Sequence, residues 1–126
     1  MSDSLASEIR AATDDIAAHL ADVPDLGKRV HREPGEALNV TPCLVLGPPQ
    51  IAFDAFGIGG PTDATFLVYI VADAAAGALA VLTDLLPVVC EALDGSSGVV
   101  RRADPDTYLS GTVALPCYAI TVEYPL

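Results

Sequence analysis

The sequence predicts an α+β fold: a mostly antiparallel sheet of four to five strands, packed on one face by two helices and carrying a long hairpin. Three observations lead there. Two segments repeat apolar residues at helical spacing. Short β-branched runs cluster on each side of the second helical segment instead of alternating with it, which argues against stacked βαβ units. The length, 126 residues, suits one core, so 1–126 reads as a single domain.

Leu5, Ile9, Ala12, Ile16 and Leu20 line one face of a first helix, expected over about Ser4–Ala21. Ser2, Asp3 and Ser4 are candidate N-caps, and Pro24 ends the run. Glu8, Asp14, Asp15 and Asp22 make the other face acidic. Residues Asp25–Thr41 are broken by Gly27, Pro34 and Gly35, with a short strand expected through Lys28–Arg32. Cys43–Leu46 reads as a buried strand, and Gly47-Pro48-Pro49 as a bend or sheet edge, since proline cannot donate within a ladder. Ile51–Val71 reads as a long hairpin: a strand around Ile51, Phe53 and Ala55, a glycine-rich tip at Gly57-Ile58-Gly59-Gly60-Pro61, and a central strand from Thr65 to Val71.

Asp73 is a candidate N-cap for the second helix. Leu79, Leu82, Leu86, Val89 and Leu93 form one apolar stripe there; Ala78, Val81, Leu85, Val88 and Ala92 form another, so burial on more than one side is expected. Pro87 should kink this helix, and Asp94-Gly95 should close it with a left-handed cap. Val99–Arg102 reads as a short strand, Asp104-Pro105-Asp106 as a turn, and Val113–Tyr124 as a last strand broken near Pro116.

Composition restricts function. Hydrophobic residues make up 52% of the chain. Counting Gly in place of Tyr, the apolar class reaches roughly 57%, against a usual 45–50%. Yet there are 17 acidic and 6 basic residues, a net charge of -11. A chain this acidic does not bind nucleic acid through a basic surface or dock on an anionic membrane. No run of about 18 uncharged apolar residues exists to span a bilayer. The polar, acidic start Met1-Ser2-Asp3-Ser4 is unlike a secretory signal. Three cysteines without a CxxC spacing make neither a disulfide framework nor a zinc site, and read as small buried hydrophobes. Surplus apolar surface on a strongly acidic chain is the property that a function must explain.

The residues offer little chemistry. His19 lies at the edge of the first helix's apolar face, and His31 sits between Val30 and Arg32; both read as structural or surface histidines. There is no GxSxG elbow, HxH or HExxH. Gly57-Ile58-Gly59-Gly60 lacks the Gly-Lys-Ser/Thr ending of a phosphate loop and joins two strands, so it reads as a hairpin tip. Asp14/Asp15 fall on a solvated helix face, and Asp104/Asp106 bracket a turn proline. Catalytic, cofactor and metal residues are therefore not expected. Lys28, Arg29 and Arg32 hold half of all the positive charge. They are either a solubilising edge strand or a docking patch for an acidic partner, an identical subunit included. Arg101-Arg102 supports the same two readings. With the apolar side chains Phe53, Phe56 and Ile58, the basic cluster completes the interface candidates: Lys28, Arg29, Arg32, Phe53, Phe56 and Ile58.

The order of elements resembles the tail-terminator (tail-completion, minor tail) proteins of long-tailed phages, actinobacteriophage type. The resembling parts are Leu5-Ala6-Ser7-Glu8-Ile9-Arg10, the strand and bend Cys43-Leu44-Val45-Leu46-Gly47-Pro48-Pro49, the strand Phe66–Val71, the helix Ala75–Leu93, and the ending Leu115–Tyr124. The resemblance implies an antiparallel sheet packed by two helices and a structural protein without enzymatic activity. It implies a homo-oligomeric ring, usually a hexamer, that caps the tail tube, ends its polymerisation and joins the tail to the head. The partners implied are the chain itself, the major tail (tube) protein and a head-completion or stopper protein, with DNA only passing through the lumen. The implied location is the head–tail junction of the virion, after assembly in the host cytoplasm. Physics is compatible with this: a ring needs heterologous contacts with apolar area beyond the monomer core. An acidic lumen repels DNA, so that it passes without sticking. The alternatives are another head–tail connector, stopper or tail-tube component, and a small cytoplasmic binding or enzymatic α+β domain. The last needs a pocket with converging polar groups, which the sequence does not supply.

Overall fold

The structure, a computed structural model, describes residues 2–32, 38, 40–53 and 61–126. Among these the order is α1 (Ser2–Leu20), β1 (Val30–His31), β2 (Cys43–Leu46), β3 (Gln50–Phe53), β4 (Pro61–Val71), α2 (Ala78–Asp94), β5 (Val99–Ser110) and β6 (Val113–Pro125). The class is α+β as expected, but the strands number six and the sheet is mixed. The strand order is β1-β2-β4-β6-β5, with β3 also paired to β4. Every pairing is antiparallel except β1 on β2, where Val30 and His31 lie opposite Leu44 and Val45. β1 lies within Lys28–Arg32, where a short strand is expected, and is two residues long.

β4 is the central strand. One edge pairs with β6 from Asp63 to Val71. The other edge takes β2 against Val68–Val71 and β3 farther back, with Gln50 opposite Thr65. Gly47-Pro48-Pro49 lies between them, so β2 and β3 are one strand interrupted where proline cannot donate. Gly47 holds the bend by donating its N–H to the Leu67 carbonyl at 3.1 Å.

Alternation sorts the sheet into two faces. Ala64, Phe66, Val68 and Ile70 of β4, with Ile120 and Val122 of β6, meet Ala12, Ile16 and Leu20 of α1 and Leu82, Val89 and Leu93 of α2. Both helices therefore cover one face. On the opposite face Cys43, Val45, Val71, Tyr108, Leu115 and Cys117 form a smaller cluster beneath Leu38 and Tyr69.

Several boundaries differ from expectation. α2 starts at Ala78, capped by Gly77 in the left-handed region (φ 91°), not at Asp73. Asp73 is engaged elsewhere: its carboxylate accepts from the Thr41 hydroxyl at 2.6 Å. At the other end Gly95 is right-handed (φ -73°), and bonds from Gly95 to Ala92 and Ser96 to Leu93 tighten the last turn. Asp104-Pro105-Asp106 is not a turn but the middle of β5, with Pro105 opposite Tyr118. β5 ends the sheet path, and proline is tolerated on an edge strand. β6 runs through Pro116 unbroken. The Pro116 carbonyl accepts from Ala72, past the end of the β4 ladder, so its nitrogen points where no ladder partner is due.

Candidate functional site

Of the basic cluster, Lys28 and Arg29 are presented by a tight loop between α1 and β1, and Arg32 follows β1 directly. Val23 and Leu26 bury themselves as anchors, and Asp25 takes a positive φ of 66°. Gly27 is packed so closely that an added Cβ would lie 1.9 Å from the Ala21 carbonyl oxygen. Lys28 is exposed and Arg29 half-buried, its guanidinium donating to the Pro42 carbonyl at 3.3 Å. Arg32 is exposed and pairs with Asp14 of α1 at 3.2 Å. Beside the loop lies an open depression of about 370 Å³, lined by Ala21, Val23, Asp25, Gly27, Lys28 and Arg29. Phe53, at the end of β3, is 58% exposed. The two other apolar candidates, Phe56 and Ile58, lie outside the described residues.

Helix α2 carries three of the exposed large hydrophobic side chains among the described residues, Leu79, Val81 and Val88. Its first stripe is buried at Leu82, Val89 and Leu93, but Leu79 at its start is 67% exposed. The second stripe is not buried as expected: Val81 and Val88 are exposed, and Ala78, Leu85 and Ala92 only half-covered. The face that carries them also carries acid. Asp84, Glu91 and Asp94 are all exposed and the helix has no basic residue. Two depressions flank this stripe. One, of about 160 Å³, is walled by Thr41, Pro42, Ala72, Asp73, Ala75–Ala78 and Val81. The other lies between Asp22-Val23-Pro24 and Val88, Glu91 and Ala92.

A second apolar projection was not among the sequence candidates. Residues Val113–Pro116 of β6 pair with β5 alone, so this hairpin end extends beyond β4. Tyr108 and Leu115 are buried on one side under Leu38, whose N–H donates to the Ser110 hydroxyl at 2.6 Å. Leu109 and Val113 remain 62% and 54% exposed. The available clue was the uncharged run Thr107–Ala114 in a chain otherwise rich in acid.

The titratable groups serve structure. Asp15, expected on a solvated face, is half-buried; its carboxylate accepts from the Tyr124 hydroxyl at 2.8 Å and from the Ser97 N–H at 3.2 Å. These bonds, Tyr124's above all, hold its pKa below the usual carboxylate range. His19 Nδ1 lies 2.8 Å from the Asp15 carbonyl oxygen, one helical turn back. Burial, with Asp106 nearby, raises the Cys117 thiol to about 11, and burial also raises Cys90. Arg101 pairs with Glu123 and Arg102 with Asp104, both on the surface. Among the described residues no group of three or more His, Cys, Asp or Glu could hold a metal ion, and no helix is long and apolar enough to cross a membrane.

No protein-family model and no curated protein sequence matches this chain.

Proposed function

We propose that the chain is a structural virion protein: a ring subunit, hexameric by the resemblance, that caps the tail tube of a long-tailed phage, stops its polymerisation and joins tail to head. The observation that carries this reading is the placement of the surplus apolar surface. Five of the nine exposed large hydrophobic side chains among the described residues lie on α2 and on the β5–β6 hairpin end of a chain whose net charge is -11. Monomers rarely leave contiguous apolar patches open unless a partner covers them. Six acidic copies repel one another, so the joint needs local positive charge; Lys28 and Arg29 just before β1 and Arg32 just after it supply it for acidic groups across the joint. Phe53 adds apolar area at the other end of β4, opposite Pro61. The major tail protein below and a head-completion protein above are the further partners, with DNA as passing cargo.

Electron microscopy of the purified protein mixed with phage tail tubes tests this. Rings seated on tube ends, with tube length no longer growing, are the expected result. Tubes that stay uncapped beside a monodisperse monomer overturn it.

A further inference from the structure

We infer that the joint between copies is a knob-and-socket contact: the β5–β6 hairpin end of one copy seats Leu109 in the alanine-lined socket at the start of α2 of the next. The inference rests on reading the chain as a self-assembling ring subunit, and names the contact that such a ring would use.

The knob is uncovered on one side only. Tyr108 and Ser110 turn toward the buried cluster under Leu38, so alternation sends Thr107 and Leu109 to the opposite side. There Leu109 lies opposite Ala114, and both are exposed. A two-stranded ribbon gains little stability by itself, and an exposed leucine at its end adds none to the monomer. The socket, about 160 Å³, is lined mostly by the small aliphatic residues Pro42, Ala72, Ala75, Ala76, Ala78 and Val81, with Thr41 and Asp73 as its polar members. Leu109 does not fill it within its own subunit, because Leu109 is 62% exposed.

Charge decides which occupant fits. Two copies carry -11 each and α2 has no cation, so packing α2 on α2 would set acid against acid. Thr107–Ala114 has no charged side chain and meets the socket without that repulsion. Asp73, the charged residue on the socket rim, already has its carboxylate bonded to the Thr41 hydroxyl. Knob and socket are different patches, so the contact is heterologous and closes into a ring wherever its rotation closes.

The test mixes two purified variants, Leu109→Cys and Ala76→Cys, each keeping the three native cysteines, under mild oxidation without any tube, and maps the cross-linked peptides by mass spectrometry. A disulfide-linked heterodimer that forms only in the mixture is expected, and a ladder of higher multimers from the double variant. A companion Leu109→Asp change should lower the yield of multimers at least about tenfold, the order expected for one aliphatic side chain lost from an apolar site. No cross-link in the mixture overturns the contact, as does a Leu109→Cys homodimer formed alone, which would mean tip-to-tip pairing. Cross-linking with uncapped tubes keeps the contact and rejects the tail-terminator reading; capped tubes without cross-linking do the reverse.

Discussion

The Tyr124 hydroxyl donates to the Asp15 carboxylate at 2.8 Å, joining the last strand to the first helix across 109 residues of chain. The same carboxylate accepts from Ser97, just after α2, so one side chain ties three elements together. Its pKa lies below the ordinary 3.8, through Tyr124 first and the Ser97 N–H second. A pKa lower in the folded than in the unfolded chain means that the unfolded chain takes up protons first as pH falls. The contribution is therefore complete above the ordinary carboxylate range and lost as pH falls through the depressed folded value. Tyr124→Phe should cost about 1 kcal/mol at pH 7, the low side of a charged hydrogen bond because Asp15 is partly solvated. Urea unfolding at pH 7 and pH 3 checks this: the gap between wild type and variant should narrow at pH 3. A gap that ignores pH would show that the Asp15 charge does not carry the effect, since phenylalanine keeps the ring that packs edge-on to Phe66 at 6.3 Å.

Gly27 and Gly111 separate two reasons for glycine. At Gly27 a Cβ would overlap the Ala21 carbonyl, which is backbone and cannot swing away. Gly27→Ala should destabilise by about 3 kcal/mol, as overpacking at a rigid site does. At Gly111 nothing lies within 4 Å of the added carbon, and only the positive φ of 62° opposes it. Gly111→Ala should cost about 1 kcal/mol. Denaturant midpoints of the two variants give the comparison, and equal losses would refute the distinction.

Patterns with one strong cause were legible in sequence. α1 is set by Leu5, Ile9, Ala12, Ile16 and Leu20 and falls at Ser2–Leu20 where Ser4–Ala21 was expected; Cys43–Leu46 is the strand its continuous apolar run announces. What failed depended on distant partners. Asp73 looks like a helix cap until Thr41 claims its carboxylate. Pro105 and Pro116 look like breaks until strand order places one on an edge and the other beyond the β4 ladder. The second apolar stripe of α2 reads as buried because periodicity reports which residues share a face, not whether anything covers that face. The interface candidates divide likewise. The basic cluster stood out through scarcity of positive charge, whereas Leu109 and Val113 became visible only once the hairpin was seen to outrun β4.

Thiol chemistry should be quiet. The thiolate is the reactive form, and Cys117 at about 11 has roughly one part in a thousand ionised at pH 8. Cys43 is fully buried, and Cys90 is half-buried with its pKa also raised. Ellman's reagent at pH 8 should therefore react slowly with the native protein, through Cys90 ahead of the others, and reach all three cysteines promptly in guanidinium. Rapid labelling of Cys117 in the native protein would contradict the packing of the sheet face opposite the helices.

Reversing the basic cluster should separate assembly from folding. In the triple variant Lys28→Glu, Arg29→Glu and Arg32→Glu, the ion pair lost is Arg32 with Asp14, whose side chains are 51% and 69% exposed. Exposed pairs contribute little, and the hydrogen bond from half-buried Arg29 to the Pro42 carbonyl adds about 1 kcal/mol, so the three changes together should cost no more than about 2 kcal/mol and leave the unfolding of the monomer cooperative. Assembly is another matter. Each reversal turns a cation into an anion, so every subunit becomes more acidic at the one loop where positive charge is concentrated, and like charges then meet across the joint. Rings should fail to form at physiological ionic strength, and added salt should restore them in part, because surface repulsion is screened within about 10 Å at 0.1 M. Sedimentation velocity with tail tubes, across a salt series, measures both effects. Rings as abundant as those of the wild type would remove the basic cluster from the joint.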